Sequence, residues 1–121
     1  MHNFKFEVIF YDKPNGEEPA RTFLDSLDAK MFAKIIRAIE LIKAGGVIIR
    51  EPYSKHLDDG IFEVRAQVGT SITRVLYFFY VGQRIILTNG FTKKTQKTPA
   101  TEIELAKKYR TEYLEREENK N

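Results

Sequence analysis

The run from Ile72 to Val81 constrains the fold of this chain more than any other segment. It reads ITRVLYFFYV and is apolar on both faces apart from Arg74. A strand of this kind is typical of the centre of a sheet that is covered on both sides. The chain is therefore predicted to fold around this strand, and the lone arginine within it needs an explanation.

Other runs have the patterns of neighbouring strands. Phe4–Tyr11 and Phe62–Val68 alternate apolar and polar residues, which indicates strands with one buried face. Arg84–Phe91 follows Gly82-Gln83, and a glycine in first place suits a two-residue type II′ hairpin turn. Together with the central run, these segments predict a small, mainly antiparallel sheet.

Two consecutive helices are predicted between the first strand and the others. Pro19 suits the first turn of one helix, and Asp28 is placed to cap the next. Gly45-Gly46 ends the second helix. Its apolar stripe consists of Phe32, Ile35, Ile36, Ile39 and Ile42. The pair is expected to form an αα-hairpin on one face of the sheet.

A last helix follows the sheet, with Thr98 as its predicted cap and Pro99 at its first position. The chain is thus expected to be a single α+β domain over residues 1–121, in the order β-α-α-β-β-β-α, with fraying from about residue 116. It contains no cysteine, which excludes disulfides and thiolate metal sites. No signal-peptide pattern or long apolar run is present, so we expect a cytoplasmic protein without membrane contact.

The positive charge is concentrated on the predicted sheet and the loop that leaves it. Residues 55–97 contain seven lysines and arginines and three acidic residues, a balance of +4, whereas the whole chain carries +3. Charge placed in this way indicates a surface that binds phosphate groups.

The strand register decides whether two of these cations share a face. Pairing Val81 with Arg84 would place Arg74 opposite Phe91. A Gly69–Ile72 pairing would place Gln67 opposite Arg74, with Arg65 on the same face, whereas a slip of one residue would separate the two arginines. The first register is favoured because it gathers the charges around one cleft.

Cations arranged in this way suit RNA cleavage by the strand's own 2′-hydroxyl. That route needs charge stabilisation at the phosphate and groups that move protons. Arginine donates two hydrogen bonds to phosphate, and a lysine with a lowered pKa transfers protons. Arg65, Arg74, Lys93 and Lys94 supply both kinds of group, and Phe91 or Tyr77 could stack on a base.

Each residue also has a structural alternative. Arg74 could be an ion-pair partner, for example of Glu63, and Tyr77 could belong to the core. The lysines at 93, 94 and 97 could form a solvated loop, and His56 could be a surface residue. The signal therefore lies in the combination. No metal or cofactor is expected, because the two histidines are distant and neither a P-loop nor GxGxxG is present.

Three segments resemble the RelE/ParE toxin superfamily, and in detail its HigB-like, phage-related branch. They are KHLDDGIFEVR, TRVLYFFYVGQRIILTNGFTKKTQKTP and EIELAKKY. The resemblance covers nearly the whole chain and implies a RelE-like fold. It also implies a type II toxin that cleaves translated mRNA in the 30S A site. Its partners would be the ribosome and a HigA-like helix-turn-helix antitoxin, with operator DNA bound only through the antitoxin complex.

The resemblance also assigns roles to residues. A basic residue on the first sheet strand after the helices matches Arg65, and the arginine of the next strand matches Arg74. A basic residue after the last strand matches Lys93 or Lys94. Glu63 stands where RelE has a lysine, and RelE's C-terminal tyrosine has no clear counterpart, which leaves Glu63 and His56 as candidates for the base. Lys55 and Lys97 would hold flanking phosphates.

Two other functions fit the same fold. A ParE-like toxin would inhibit DNA gyrase without cleaving nucleic acid, and a non-catalytic module would bind RNA or the ribosome. The convergence of several cations favours the nuclease, because a toxin that binds a protein has no need of it.

Overall fold

The computed structural model describes residues 5–120, which fold as a five-stranded sheet with helices on both faces. The elements are β1 (Glu7–Phe10), α1 (Pro19–Asp25), α2 (Ala29–Gly45), β2 (Ser54–Asp58), β3 (Ile61–Val68), β4 (Ser71–Tyr80), β5 (Arg84–Lys93) and α3 (Ala100–Glu118). The predicted α+β class and the helix pair on the sheet are confirmed. Phe4, with which the first strand was predicted to begin, lies outside the described residues.

The sheet has the order β1-β5-β4-β3-β2, so β4 is its central strand. β1 runs parallel to β5, and all other pairs are antiparallel. Alternate residues of β4 belong to two apolar clusters. Val75 and Tyr77 face α1 and α2, whereas Leu76 and Phe78 face α3. The prediction of a central strand covered on both sides is therefore confirmed.

The edge strand β2 was missed by the sequence analysis, which predicted four strands. Its sequence, SKHLD, is mostly polar and largely exposed, so it lacks the alternation that marks a half-buried strand. β2 pairs with β3 and places Lys55 directly opposite Glu63. Asp59 and Gly60, both with positive φ, form the turn between the two strands.

Helix α2 begins and ends as predicted, but its buried stripe differs at two places: Met31 and Ala38 are buried, whereas Phe32 is exposed and Ile36 only partly buried. The Asp28 carboxylate accepts a hydrogen bond of 2.9 Å from the backbone N–H of Met31, which confirms the cap. The predicted stripe residue Phe32 is wrong, because its side chain is 39% exposed and Met31 is buried in its place. The buried residues are Met31, Ile35, Ala38, Ile39 and Ile42.

The β4–β5 hairpin has a longer loop than predicted. Tyr80 pairs with Arg84 across three residues, so the two-residue turn is wrong. A β-bulge between Val75 and Tyr77 then shifts the register by one residue. The bulge restores the predicted pairing of Arg74 with Phe91, which is confirmed.

The β3–β4 register places Arg65 directly opposite Arg74. The predicted pairing of Gln67 with Arg74 is wrong, because the true register is shifted by two residues. Side chains alternate between faces with a period of two, so this shift leaves both arginines on one face of the sheet. That face is the one that α3 covers, since Arg74 lies opposite Phe91 of the α3-side cluster.

Helix α3 begins at Ala100, with Pro99 as its N-cap residue. The predicted cap Thr98 makes no capping bond, because its hydroxyl donates to the Glu63 carboxylate instead. The helix continues to Glu118, and fraying from about residue 116 stays a prediction. Within residues 5–120, no helix combines the length and the apolar character that crossing a membrane requires.

Candidate functional site

The two paired arginines differ in exposure. The side chain of Arg65 is 14% exposed, whereas Arg74 is 0% exposed. Both lie beside the loop that joins β5 to α3, residues 94–99, which we call the β5–α3 loop. The same strand pair thus carries one cation that solvent can reach and one that it cannot.

Arg74 holds the β5–α3 loop against the sheet. Its guanidinium donates hydrogen bonds to the carbonyl oxygens of Ile72 (3.1 Å), Lys93 (3.4 Å) and Thr95. The guanidinium carbon lies 5.1 Å from the centre of the Phe91 ring. Burial lowers the pKa of Arg74, and the nearby Arg65 adds to this effect. Arg74 therefore has a structural role here, with backbone carbonyls rather than Glu63 as its hydrogen-bond partners.

Glu63 and Arg65 form the second attachment of the same loop. Nε of Arg65 lies 3.1 Å from Oε2 of Glu63, and the Thr98 hydroxyl donates to Oε1. A terminal nitrogen of Arg65 donates to the backbone and side-chain oxygens of Gln96, each at 3.2 Å. Glu63 is only 1% exposed, so its charge is compensated by Arg65 in a nearly dry environment.

A cavity of about 360 Å³ lies between β2, the β5–α3 loop and the start of α3. Four predicted site residues line it: Lys55, His56, Glu63 and Lys97. Lys55 and Lys97 are exposed and form no ion pair within the described residues. We call this cavity the lysine cavity. Two unpaired amines beside a buried carboxylate–guanidinium pair can bind a phosphate group and transfer a proton to or from it.

Two predicted residues, Lys93 and Lys94, lie apart from the lysine cavity, and a third, His56, only borders it. Lys93 ends β5 and Lys94 begins the β5–α3 loop; both are exposed, and neither lines the lysine cavity. The His56 ring packs 5.0 Å from that of Phe62, on the face that α1 and α2 cover. Its Nε2 accepts a hydrogen bond from the Gly60 backbone N–H at 3.1 Å. His56 therefore borders the lysine cavity with its ring turned to the other face of the sheet.

The two candidate stacking residues are both buried. Tyr77 belongs to the core under α1 and α2, and its hydroxyl is bonded to that of Ser54 at 2.6 Å. Burial raises the pKa of the Tyr77 phenol to about 12, against the opposing effect of the Ser54 hydrogen bond. Phe91 is 8% exposed and faces the Arg74 guanidinium. A base cannot reach either ring in this conformation, so neither is retained as a stacking platform.

The sequence analysis missed a second, larger cavity of about 540 Å³, which we call the α2 cavity. Arg65 and Gln96 line it together with residues of α2, β3 and the segment before β2. Gln96 lines both cavities, so the Arg65–Gln96 contact lies between them. The only sequence signal was the exposed spacing of Lys34 and Arg37 on α2, which is also typical of an ordinary solvated helix face.

This architecture, with a helix pair on one face of the sheet and a C-terminal helix on the other, is compatible with a RelE-like fold. The family described as phage-derived protein Gp49-like (DUF891) matches residues 22–111, well over half of the chain. The chain therefore belongs to the Gp49-like family, which is a RelE/HigB-like toxin family. No curated protein matches it. The matched residues include both cavities and the β5–α3 loop.

Proposed function

We propose that this protein is the HigB-like toxin of a type II toxin–antitoxin system and cleaves mRNA on the ribosome. The observation that carries the proposal is the lysine cavity, where Lys55 and Lys97 lie beside Glu63, the ion-pair partner of Arg65. Cations that converge on one cavity suit a phosphodiester whose charge increases in the transition state.

Roles follow from exposure and contacts. Lys55 and Lys97 would bind the scissile phosphate or its neighbours, and one of them would transfer a proton. The Arg65 guanidinium donates hydrogen bonds to Gln96 of the β5–α3 loop. On binding RNA it would exchange part of this contact for a contact to the phosphate. Both oxygens of Glu63 are engaged, which supports a role in orienting Arg65. Arg74 would act through the loop that it holds.

The 2′-hydroxyl of the RNA would be the nucleophile, so that no metal is required for attack. The ribosome would supply orientation by fixing the message in line, and positioning of this kind is worth roughly 7–11 kcal/mol. Membership of a toxin family implies an antitoxin partner. We propose that this antitoxin is HigA-like with a helix-turn-helix domain, and that the toxin acts in the cytoplasm.

The decisive experiment compares naked and translated mRNA. We expect no cleavage of naked mRNA in excess EDTA, and cleavage in translating extracts, with 2′,3′-cyclic or 3′-phosphate ends. A single 2′-deoxynucleotide at the cut position should block cleavage there, because it removes the nucleophile. Cutting of naked RNA that EDTA abolishes would contradict the proposal. So would inhibition of gyrase supercoiling by a protein that leaves translated mRNA intact.

Substitution of the lysines tests which of them bind RNA. Lys55→Ala and Lys97→Ala are each expected to lower the cleavage rate about 10- to 100-fold, the effect of one lost charge-assisted hydrogen bond. Lys93→Ala and Lys94→Ala should act mainly through long-range charge and cost less. The measurement is single-turnover cleavage of translated mRNA, and Lys108→Ala, an exposed lysine of α3, is the control. Equal losses in all four variants would show that the cavity has no special role.

A further inference from the structure

The α2 cavity is larger than the lysine cavity, and of its lining the proposed chemistry uses only Arg65. Its lining combines an apolar surface with cations. Ala38, Ala66 and Ile72 contribute apolar atoms, and Tyr53 adds an aromatic ring that is 46% exposed. A nucleotide has the matching character, because its base stacks on apolar and aromatic surfaces while its phosphate pairs with cations.

Three cations and one acid line the same cavity: Lys34, Arg37, Arg65 and Glu51. Arg37 is exposed and forms no ion pair or side-chain hydrogen bond among residues 5–120. Lys34 donates a hydrogen bond of 2.7 Å to the Gln67 carbonyl, which fixes its amine beside β3. The net charge of the lining is therefore positive, and one guanidinium has all its donors free for a ligand.

We propose that the α2 cavity binds one nucleotide of a single-stranded RNA, with its base against Tyr53 and a phosphate at Arg37. The inference rests on the proposed function, which determines the direction in which the RNA strand runs across the protein. Because Arg65 and Gln96 separate the two cavities, a strand that crosses this contact places one nucleotide in the α2 cavity and the next phosphate at Arg65. The cavity would then set the base preference beside the cut.

An extended peptide is the competing occupant, and the sheet edge argues against it. β2 covers the edge of β3 only as far as Val64 and, through the Tyr53 carbonyl, the Arg65 amide. In β3 the next residue that faces the free edge is Gln67, whose carbonyl already accepts from Lys34. A peptide that adds a strand needs a row of free backbone groups, and this edge does not supply one.

The test uses a single-stranded oligoribonucleotide that contains 4-thiouridine, and four variants of the full chain. Tyr53→Ala and Arg37→Ala alter the cavity. Phe32→Ala and Arg50→Ala are matched controls, because both side chains are exposed and lie outside it. We expect photo-crosslinking to Tyr53 and roughly 5- to 150-fold weaker binding in Tyr53→Ala, the range for one lost base stack. The controls should bind like the unaltered protein.

The second readout is the base distribution at cut sites in translating extracts. Tyr53→Ala should cut with a changed preference next to the scissile bond. If it binds and cuts like Phe32→Ala, the cavity inference is wrong while the proposed function stands. If the unaltered protein never cuts but binding still depends on Tyr53 and Arg37, the nuclease proposal fails and the RNA site stands. Loss of a co-purifying antitoxin from both variants, with RNA binding unchanged, would identify a protein-binding surface and overturn the inference.

Discussion

Replacing Arg74 with alanine is expected to destabilise the protein by about 2–4 kcal/mol and to release the β5–α3 loop. The change removes a fully buried side chain and leaves the carbonyls of Ile72, Lys93 and Thr95 without their donor. Large-to-small changes in a core and unsatisfied buried polar groups each cost on this scale. The fall in free energy of unfolding is measurable by urea denaturation.

Limited proteolysis separates the local effect from the global one. The loop and the end of β5 contain Lys93, Lys94 and Lys97, so trypsin should cut this segment much faster in the variant, under conditions in which the sheet stays folded. Toxicity should fall as well, since Lys97 would lose its position. The control is Arg84→Ala, which removes a more exposed arginine whose ion pair with Glu117 is 3.3 Å long. Unchanged stability and loop protection in Arg74→Ala would contradict the structural role.

How far the sequence determines the fold is visible in the sheet. An apolar run such as Ile72–Val81 is typical of the centre of a sheet. The start of α1 at Pro19 and the cap of α2 at Asp28 follow from local backbone chemistry. β2 could not be predicted, because a polar edge strand owes its conformation to pairing with β3 rather than to its own pattern. The bulge in β4 likewise depends on both strands of its hairpin.

The candidate site was harder to predict than the fold. Sequence analysis identified the cations but could not tell which of them had carbonyl partners. Arg65 and Arg74 occupy paired positions in similar local sequence, yet the carbonyls of Ile72, Lys93 and Thr95 enclose Arg74 while Arg65 stays within reach of solvent. That difference arises from the path of the β5–α3 loop. Thr98 was misassigned for the same reason, because its hydroxyl bonds to Glu63, a residue remote in sequence.

Replacing Arg65 with alanine is expected to lower the cleavage rate by about 10²–10³, the effect of removing one donor that stabilises transition-state charge. A loss of activity in this single variant could also result from a loss of stability. It leaves Glu63, 1% exposed, without its cation, and breaking a buried pair in this way costs roughly 3–5 kcal/mol of stability. Activity must therefore be measured per folded molecule, under conditions in which urea denaturation shows the variant to be native.

The double variant Glu63→Gln/Arg65→Ala resolves the ambiguity. A neutral amide keeps a partner for the Thr98 hydroxyl and removes the uncompensated charge, so most of the lost stability should return while cleavage stays low. Glu63→Gln alone should retain more activity than Arg65→Ala if the carboxylate only orients the guanidinium. If Glu63→Gln is instead as inactive as Arg65→Ala, and a pH–rate profile loses its acidic limb, the carboxylate is the general base and the assignment of Glu63 as a residue that only orients Arg65 is wrong.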